Sequence, residues 1–325
     1  MKPFVSTVEP VSTCPVNCEM CPVSRVDVPQ PKARLMALDV AGAAAARLHH
    51  EFGVESVCWG NWGEPLLHPE MPALAEAFAR VGIQNQYLST SGSAKFDAEA
   101  LATSALTQID VSISGVTAEV YNIGHANGRW DLVKHNIEAL AEARQRHPGQ
   151  LGVGIRWHRY KHNEHQLDEA RRWCAELDIE LKPYYAHLGG IEALHDFDHG
   201  TLPEAKRNFV NERVFLDFVK RSLAKYEGGT SCPMTQNLII HSDGTLLHCC
   251  GVMTSHQEGR EFLRMTKEEV VGFKEAPNRF CGECLKKGWA GYMHSPKVDE
   301  DLDGVEQAVL DMRDALAAAA VEIVR

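Results

Sequence analysis

Short apolar segments recur along the first 185 residues, and longer amphipathic patterns separate them. The apolar segments cover residues 4–8, 54–59, 86–90, 109–113, 152–157 and 179–185, and each has the length of a buried strand. Between them, residues 39–52, 71–81 and 131–144 place apolar side chains at i, i+3 and i+4, which predicts helices. The first two of these helices stop at glycines, as helices commonly do.

The alternation of strands and helices predicts the fold class. Strands joined through helices form a parallel sheet with right-handed crossovers. Six repeats fall short of the eight that close a TIM barrel, so we expect an α/β fold with an open, partial (β/α)6 barrel. Functional residues in such barrels lie at the carboxyl ends of the strands.

The pattern changes after residue 185. Residues 186–230 carry helical patterns and an acidic, histidine-rich stretch, and residues 231–290 are rich in cysteine. Residues 238–240 and 245–248 predict a hairpin, because the Asp-Gly pair between them is a strong turn signal. Residues 304–324 predict a closing helix. We therefore expect a barrel domain (1–190), a connecting segment (191–230), a small cysteine-rich domain (231–290) and a C-terminal helix (291–325).

Composition and charge exclude several classes of protein. The 325 residues include 33 lysines and arginines against 44 aspartates and glutamates, which gives a net charge of −11. The basic residues form no block of the kind that binds nucleic acid, and no apolar run reaches the ~18 residues of a membrane span. The first residues lack the apolar core of a signal peptide, so we expect a cytoplasmic protein. The negative charge suits a cationic small-molecule substrate.

Ten cysteines in a chain expected to be cytoplasmic indicate metal or redox chemistry rather than disulfides. Cys14, Cys18 and Cys21 form a C-x3-C-x2-C motif directly after the first predicted strand. Three thiolates on one loop can hold three irons of a 4Fe–4S cluster and leave the fourth iron open to an outside ligand, whereas ferredoxin sites use four cysteines. A zinc site completed by a distant ligand is the alternative. The sixteen histidines show no metal-ligand spacing.

The segment Cys14-Pro-Val-Asn-Cys18-Glu-Met-Cys21 resembles the signature of the radical S-adenosylmethionine (radical SAM) enzymes. The resemblance covers about residues 4–185. It implies that SAM binds at the open iron and that its cleavage gives a 5′-deoxyadenosyl radical. The residue before the last cysteine is often aromatic in that family, whereas here it is Met20.

Three further stretches resemble the SAM-binding motifs of that family. The run from Gly60 to Pro65 resembles its Gly-Gly-Glu motif, which implies that Gly63 contacts SAM and that the Glu64 carboxylate accepts a hydrogen bond from the SAM ammonium. The other residues that the resemblance assigns to SAM lie at the ends of the third and fourth predicted strands and are Thr90, Ser112 and Ser114. The alternative is that these hydroxyls bind no ligand, since serines are common at strand ends.

A second group of cysteines resembles the short, twitch version of the SPASM extension of radical SAM enzymes. That extension implies an auxiliary 4Fe–4S cluster with four ligands, so the expected cofactors are two 4Fe–4S clusters and SAM. The full SPASM pattern continues with further cysteines, and none follow here. The positions that carry the resemblance are Cys232, Gly244, Cys249, Cys281 and Cys284.

Seven cluster ligands leave three cysteines over. Cys58 and Cys174 neighbour tryptophans in predicted elements and are expected in the core. The third belongs to the Cys249–Cys250 pair, whose side chains point to opposite faces if the pair lies on a strand; the pair can also be accidental. Generic twitch spacing makes Cys249 the ligand. Resemblance to an epimerase of aminoglycoside biosynthesis implies the reverse, with Cys249 as hydrogen donor and these ligands: Cys232, Cys250, Cys281 and Cys284.

The fate of the substrate radical decides the reaction. A thiol that returns hydrogen to the opposite face makes an epimerase, electron loss makes a dehydrogenase, and loss of a neighbouring hydroxyl makes a dehydratase. Resemblance to small twitch enzymes of aminoglycoside biosynthesis implies the epimerase, a cationic aminoglycoside substrate and an external electron donor of the flavodoxin or ferredoxin type. Glu192, Asp196 and Asp198 are candidates to bind its ammonium groups, or they form a solvated loop. A peptide-modifying enzyme and an electron-transfer protein are further alternatives.

Overall fold

The strands follow the apolar segments of the sequence closely. The structure is a computed structural model that describes residues 4–24 and 34–294. Each barrel strand begins and ends within about two residues of its predicted bounds. The strands are β1 (Val5–Val8), β2 (Asn17–Cys18), β3 (Ser56–Trp59), β4 (Asn85–Thr90), β5 (Gln108–Ile113), β6 (His125–Ala126), β7 (Gly152–Arg159), β8 (Glu180–Tyr185), β9 (Asn237–Ile240), β10 (Thr245–Leu247) and β11 (Arg260–Glu261).

The helices occupy the amphipathic intervals. Among those in the described part of the chain, none is long and apolar enough to cross a membrane. The helix predicted at residues 304–324 lies outside the described residues. The helices are α1 (Leu38–Phe52), α2 (Met71–Ala79), α3 (Ala98–Ala102), α4 (Ala118–Gly124), α5 (Trp130–Arg146), α6 (Leu167–Glu176), α7 (Ile191–Asp198), α8 (Glu204–Arg213), α9 (Leu216–Tyr226), α10 (Lys267–Glu275), α11 (Cys281–Lys286) and α12 (Trp289–His294).

Helix α1 shows how the local sequence sets these elements. Its end is fixed by Gly53, which has φ of 67° and donates its N–H to the carbonyls of Leu48 and His49. This left-handed cap satisfies carbonyls that the helix leaves unpaired. Its buried apolar side chains form the face that packs into the barrel core: Ala41, Ala44, Ala45, Leu48 and Phe52.

The main sheet has the strand order β11-β10-β9-β1-β3-β4-β5-β7-β8. The six strands from β1 to β8 in this order are parallel and follow one another along the chain. Strands joined in this way by helices form an open barrel with its functional end at the carboxyl ends of the strands. This confirms the α/β partial barrel predicted from the sequence.

The C-terminal hairpin belongs to the same sheet. β9 and β10 are antiparallel, as predicted, and Gly244 in their turn has φ of 81°. β9 also pairs in parallel with β1, from Asn237 opposite Val5 to Ile240 opposite Val8. β1 is therefore an interior strand, with β3 on one side and the hairpin on the other.

The barrel strands send alternate side chains to two layers. Val57 and Trp59 of β3 pack in the apolar layer beneath the helices. Cys58 between them therefore points to the opposite side, into the lumen of the partial barrel. The same alternation in β7 directs Arg156 and His158 into the lumen, so the interior of the barrel is polar.

A second apolar cluster joins the chain after β8 to the C-terminal helices. It lies apart from the barrel core and includes one cysteine of the second group, Cys284. The cluster therefore holds α7, α9, α11 and α12 together around the cysteine-rich region. Its large members include Leu188, Leu194, Val219, Trp289 and Tyr292.

Candidate active site

The first three cysteines lie together on the loop that follows β1. Cys14, Cys18 and Cys21 are half-buried. The thiols of Cys14 and Cys18 each lie within electrostatic range of the Cys21 thiol. Burial raises the pKa of Cys14 to about 12 and that of Cys21 to about 11, and it also raises the pKa of Cys18. Thiols enclosed in this way ionise only beside a compensating cation. This arrangement suits a positively charged metal cluster.

Glu64 connects the Gly-Glu loop to the end of β4. The residue is 1% exposed, and its two carboxylate oxygens accept four hydrogen bonds. Oε1 accepts from the Leu66 amide at 3.0 Å and the Thr90 hydroxyl at 2.6 Å. Oε2 accepts from the amide of Ser91 at 2.8 Å and from its hydroxyl at 2.5 Å. Since Glu64 also lies in electrostatic range of Cys14, two predicted SAM motifs meet beside the cysteine loop.

Gly63 packs against the cysteine loop with no room for a side chain. A Cβ on Gly63 would lie 1.8 Å from the carbonyl oxygen of Val11. The amides of Gly63 and Trp62 both donate to Glu9 Oε1, at 2.7 and 2.9 Å. Glu9 is buried directly after β1, so its two hydrogen bonds hold the Gly-Glu loop at the carboxyl end of that strand. Glu9 was not among the predicted site residues, although an acidic residue directly after a buried strand was a usable signal.

Ser112 and Ser114 lie at the end of β5, but their hydroxyls have protein partners. Ser114 Oγ is 2.8 Å from His125 Nδ1, and burial lowers the pKa of His125 to about 4. Ser112 hydrogen-bonds the hydroxyl of Tyr184, which in turn contacts His158 Nε2. Both serines therefore orient neutral rings at the mouth of the barrel. Their contact with SAM stays a prediction.

Charged side chains lie deeper in the lumen. Arg156 donates to Ser89 Oγ at 3.4 Å, and its guanidinium carbon lies 5.0 Å from the ring centre of Tyr184. Asp110 accepts from Lys182 Nζ at 3.0 Å on both oxygens. These residues were not among the predicted site residues, and the available signal was the polar position that recurs between apolar ones in the predicted strands.

The two cysteines expected in the core have different surroundings. Cys174 is buried in α6 and belongs to the apolar core, as predicted. Cys58 faces the lumen near Arg156 rather than the helices, which corrects its prediction. The error arose because Cys58 lies between two apolar residues, and only the strand alternation separates their directions. Burial raises the pKa of Cys58 to about 11, so this thiol is neutral.

A cavity of about 390 Å³ lies among the C-terminal cysteines. Lys274 forms part of its wall, is buried, and donates to the carbonyl oxygen of Leu247 at 3.2 Å. Burial lowers the pKa of Lys274 to about 8. A buried cation here favours ionised thiols in the cavity. Four thiols line it: Cys232, Cys249, Cys281 and Cys284.

Cys250 is not among the residues that line this cavity. Its Sγ donates to the sulfur of Met234 at 3.2 Å and contacts the Cys249 thiol. The thiols of the pair thus have different surroundings, and the cavity takes Cys249. The ligand set implied by resemblance to the epimerase differs from this lining, because that set contains Cys250 in place of Cys249.

The segment Gly189-Gly190-Ile191 contacts both cysteine groups. A Cβ on Gly189 would lie 2.0 Å from the carbonyl oxygen of Met20, inside the first cysteine motif. The Ile191 amide donates to the carbonyl of Gly251 at 2.6 Å, directly after the cysteine pair. The backbone after β8 therefore fixes the distance between the two groups.

The three acidic residues proposed for substrate binding lie on α7 but are not equivalent. Asp198 pairs with Lys287 at 2.7 Å, and Asp196 accepts from a neighbouring threonine hydroxyl at 3.3 Å. Glu192 is buried, and its Oε1 accepts from the Thr254 amide at 3.0 Å. Its Oε2 has no hydrogen-bond partner within residues 4–24 and 34–294. Glu192 is thus the one of the three with a buried carboxylate oxygen that accepts no hydrogen bond from the described residues.

The donor sets fit the cofactors implied by the motifs. Thiols are the ligands of iron–sulfur clusters, and three of them lie on the first loop while four surround the second cavity. Asn61, in the loop that carries Glu64, has a buried Nδ2 without a partner among the described residues. An unused donor beside the cysteine loop suits a ligand with acceptor groups, such as SAM.

Comparison with known proteins follows this geometry. A family model described as the radical SAM superfamily matches residues 8–174. No curated protein matches the chain. The chain is similar to native anSMEcpe with bound AdoMet at 15% identity and a TM-score of 0.55, covering 98% of this chain and 100% of that one. It is also similar to Streptococcus suis SuiB bound to S-adenosylmethionine at 18% identity and a TM-score of 0.58, covering 92% and 76%. At these identities the likeness shows the fold alone.

Proposed function

Because the chain belongs to the radical SAM superfamily, we propose that it is an epimerase that inverts one carbon of a cationic amino sugar. The specific reaction is the inversion of C5‴ of neomycin C to give neomycin B. Cys14, Cys18 and Cys21 would hold the 4Fe–4S cluster, which when bound would supply the electron for cleavage of SAM to the 5′-deoxyadenosyl radical. The other residues of the chain determine what happens to the substrate radical.

The observation that carries this proposal is the fifth thiol beside the four-thiol cavity. When a thiol gives its hydrogen atom to a carbon radical, a C–H bond forms and an S–H bond breaks. One electron from the external donor and one proton from solvent then restore the thiol. A dehydrogenase disposes of the substrate radical by electron loss and needs no hydrogen donor, whereas an epimerase needs a donor on the face opposite the abstraction, and this thiol can supply that hydrogen.

One thiol of the Cys249–Cys250 pair completes the auxiliary cluster, and the other returns the hydrogen atom. The cavity lining supports Cys249 as the ligand and Cys250 as the donor. Resemblance to the epimerase supports the opposite assignment. The two thiols are adjacent, so either assignment keeps the donor next to the auxiliary cluster.

Glu192 supports a cationic substrate. A buried carboxylate oxygen without a hydrogen-bond donor is costly, and an ammonium group of the substrate would supply the donor. Glu192 also neighbours the segment that contacts both cysteine groups, since its Oε2 lies 3.5 Å from the position of a Cβ on Gly190. An amino sugar bound there lies between the two groups.

Turnover in deuterium oxide tests the reaction. Reconstituted protein, SAM, a reductant and neomycin C are incubated without oxygen, and the product is analysed by chromatography and mass spectrometry. Thiol hydrogens exchange with solvent, so the epimerase gives an isomer heavier by one deuterium. A product that lacks two hydrogens or a water contradicts the epimerase. Unchanged neomycin C with SAM cleaved contradicts this substrate and points to another, such as a peptide.

Two single variants assign the thiols. The variants are Cys249→Ala and Cys250→Ala, of which one removes the hydrogen donor and the other a cluster ligand. The variant that lacks the donor keeps about eight irons per chain and cleaves SAM but gives no inverted product. In the ligand variant the iron content falls to about four. Cys174→Ala, which removes a core thiol, serves as the control. It should keep about eight irons per chain and still give the inverted product. Retention of inversion in both single variants contradicts the thiol mechanism.

A matched pair of acidic variants tests the substrate charge. Glu192→Gln removes the unpartnered oxygen and should raise KM for the aminoglycoside by about 10-fold or more, because a charge-assisted hydrogen bond is lost. Asp198→Asn, whose carboxylate already pairs with Lys287, should leave KM near that of the wild type. Equal KM values for both variants would remove Glu192 from the substrate site.

A further inference from the structure

Two histidines and a glutamate converge on one point between α7 and α11. His195 lies in α7 and His199 follows its last residue, so the two are one helical turn apart, with ring centres 4.2 Å apart. Glu283 of α11 faces both rings: His199 Nε2 lies 3.3 Å from Oε1 and His195 Nε2 lies 3.9 Å from Oε2. One ligand atom from each of the three residues lies within 4.8 Å of the other two.

The remaining ring nitrogens have partners that leave both Nε2 atoms pointing at Glu283. His199 Nδ1 is 2.8 Å from the carbonyl oxygen of His195, and His195 Nδ1 is 3.4 Å from Asp196 Oδ1. Histidines that bind metals commonly donate their other ring N–H to a carbonyl or carboxylate in this way, which orients the ring. The nearby cation Lys287 is paired with Asp198 at 2.7 Å.

We propose that His195, His199 and Glu283 form a binding site for a divalent zinc-type cation. Two imidazoles and one carboxylate are a common zinc donor set, and bonds of about 2.0–2.2 Å place the donor atoms of a tetrahedral site roughly 3.3–3.6 Å apart. The observed separations do not exceed 4.8 Å, and the two stacked rings would rotate to bring the donor atoms to that spacing. Because His199 is exposed, water fills the fourth position.

The site would connect α7 to the helix that carries two thiols of the second cavity. Glu283 lies between Cys281 and Cys284, and both of those cysteines line the cavity. A cation bound there fixes α11 against α7 and so braces one wall of the cavity. This role is separate from the radical chemistry, and it holds whatever substrate the protein uses.

Zinc titration of the reconstituted protein tests the proposal. Loading the cysteines with iron first keeps zinc away from the thiols, and iron per chain is measured before and after. Isothermal titration with Zn²⁺ should show one equivalent bound in the wild type. His199→Ala and Glu283→Gln should each weaken binding at least about 10-fold, because each removes a ligand. His165→Ala, which removes an exposed histidine elsewhere, should bind as the wild type does.

Zinc-edge X-ray absorption identifies the ligands directly. The proposed site gives nitrogen and oxygen neighbours at about 2.0–2.1 Å, whereas zinc on cysteines gives sulfur at about 2.3 Å. A sulfur shell, binding unchanged in both ligand variants, or no binding at micromolar zinc would each overturn the proposal. Glu283→Gln keeps the shape of the side chain, so a normal iron content in that variant separates loss of a ligand from loss of folding.

Discussion

Replacing Glu64 with glutamine tests whether one carboxylate holds the Gly-Glu loop against the end of β4. Each carboxylate oxygen accepts one backbone N–H, from Leu66 at 3.0 Å and from Ser91 at 2.8 Å. Glutamine offers one oxygen and one NH2, so in either orientation one backbone N–H faces another donor. The neighbouring hydroxyls can rotate to accept, but a backbone N–H cannot. Leaving that N–H unpaired costs about 1–3 kcal/mol, and the weaker remaining bonds bring the expected loss to about 3 kcal/mol.

Thermal unfolding measures this loss. For 325 residues, an unfolding entropy of ~2.1 cal/mol/K per residue gives roughly 0.7 kcal/mol/K, so the midpoint of Glu64→Gln should fall by about 4 °C. Circular dichroism of reconstituted protein follows the transition. Glu55→Gln, an exposed position just before β3, is the matched control and should melt with the wild type. Equal midpoints for all three proteins would refute the described hydrogen bonding of Glu64.

Three further predictions concern other parts of the site. Gly189→Ala puts a methyl group 2.0 Å from the carbonyl of Met20 and should lower the free energy of unfolding by about 1–3 kcal/mol in urea, whereas Gly272→Ala, with open space around it, should not. Burial opposes the charge of His241, but its two carboxylate neighbours outweigh burial and raise its pKa. The stability it adds is present below about pH 6.5 and is lost as pH rises through the raised pKa, so the urea midpoints of wild type and His241→Asn should converge at alkaline pH. Lys274→Met removes the buried cation beside the second cavity, and iron per chain after reconstitution should fall from about eight toward about four.

Local periodicity predicted the strands and helices because each buries one face or both. It could not predict that β9 lies beside β1, since that pairing joins residues 232 positions apart, such as Ser6 and Leu238, and leaves no mark in either segment. The hairpin itself was predicted from its Asp-Gly turn. Its attachment to the barrel sheet is a property of tertiary structure.

Motif spacing predicted which short segments carry the site residues. It could not predict which side chains of other segments would be their hydrogen-bond or ion-pair partners. The hydroxyl of Thr90 donates to Glu64, a partner that the motif did not indicate, and its contact with SAM stays a prediction. Asp198 forms an ion pair with Lys287 that the sequence did not indicate, and its contact with substrate stays a prediction. The histidines were predicted to show no metal-ligand spacing, although His195 stands one helical turn before His199, because the glutamate that faces both comes from a distant helix.

The pairing of β1 with β9 has a consequence for the order of folding. Until Asn237–Ile240 leaves the ribosome, one edge of β1 has no partner, and the Ser6 hydroxyl lacks the Leu238 carbonyl to which it donates at 2.8 Å. At synthesis rates of about 5–20 residues per second, that interval lasts roughly 10–50 s. The loop that follows β1 carries the first three cysteines, so iron–sulfur assembly on a settled loop follows translation of about three quarters of the chain. A truncated or stalled product should expose both an unpaired strand edge and three reactive thiols.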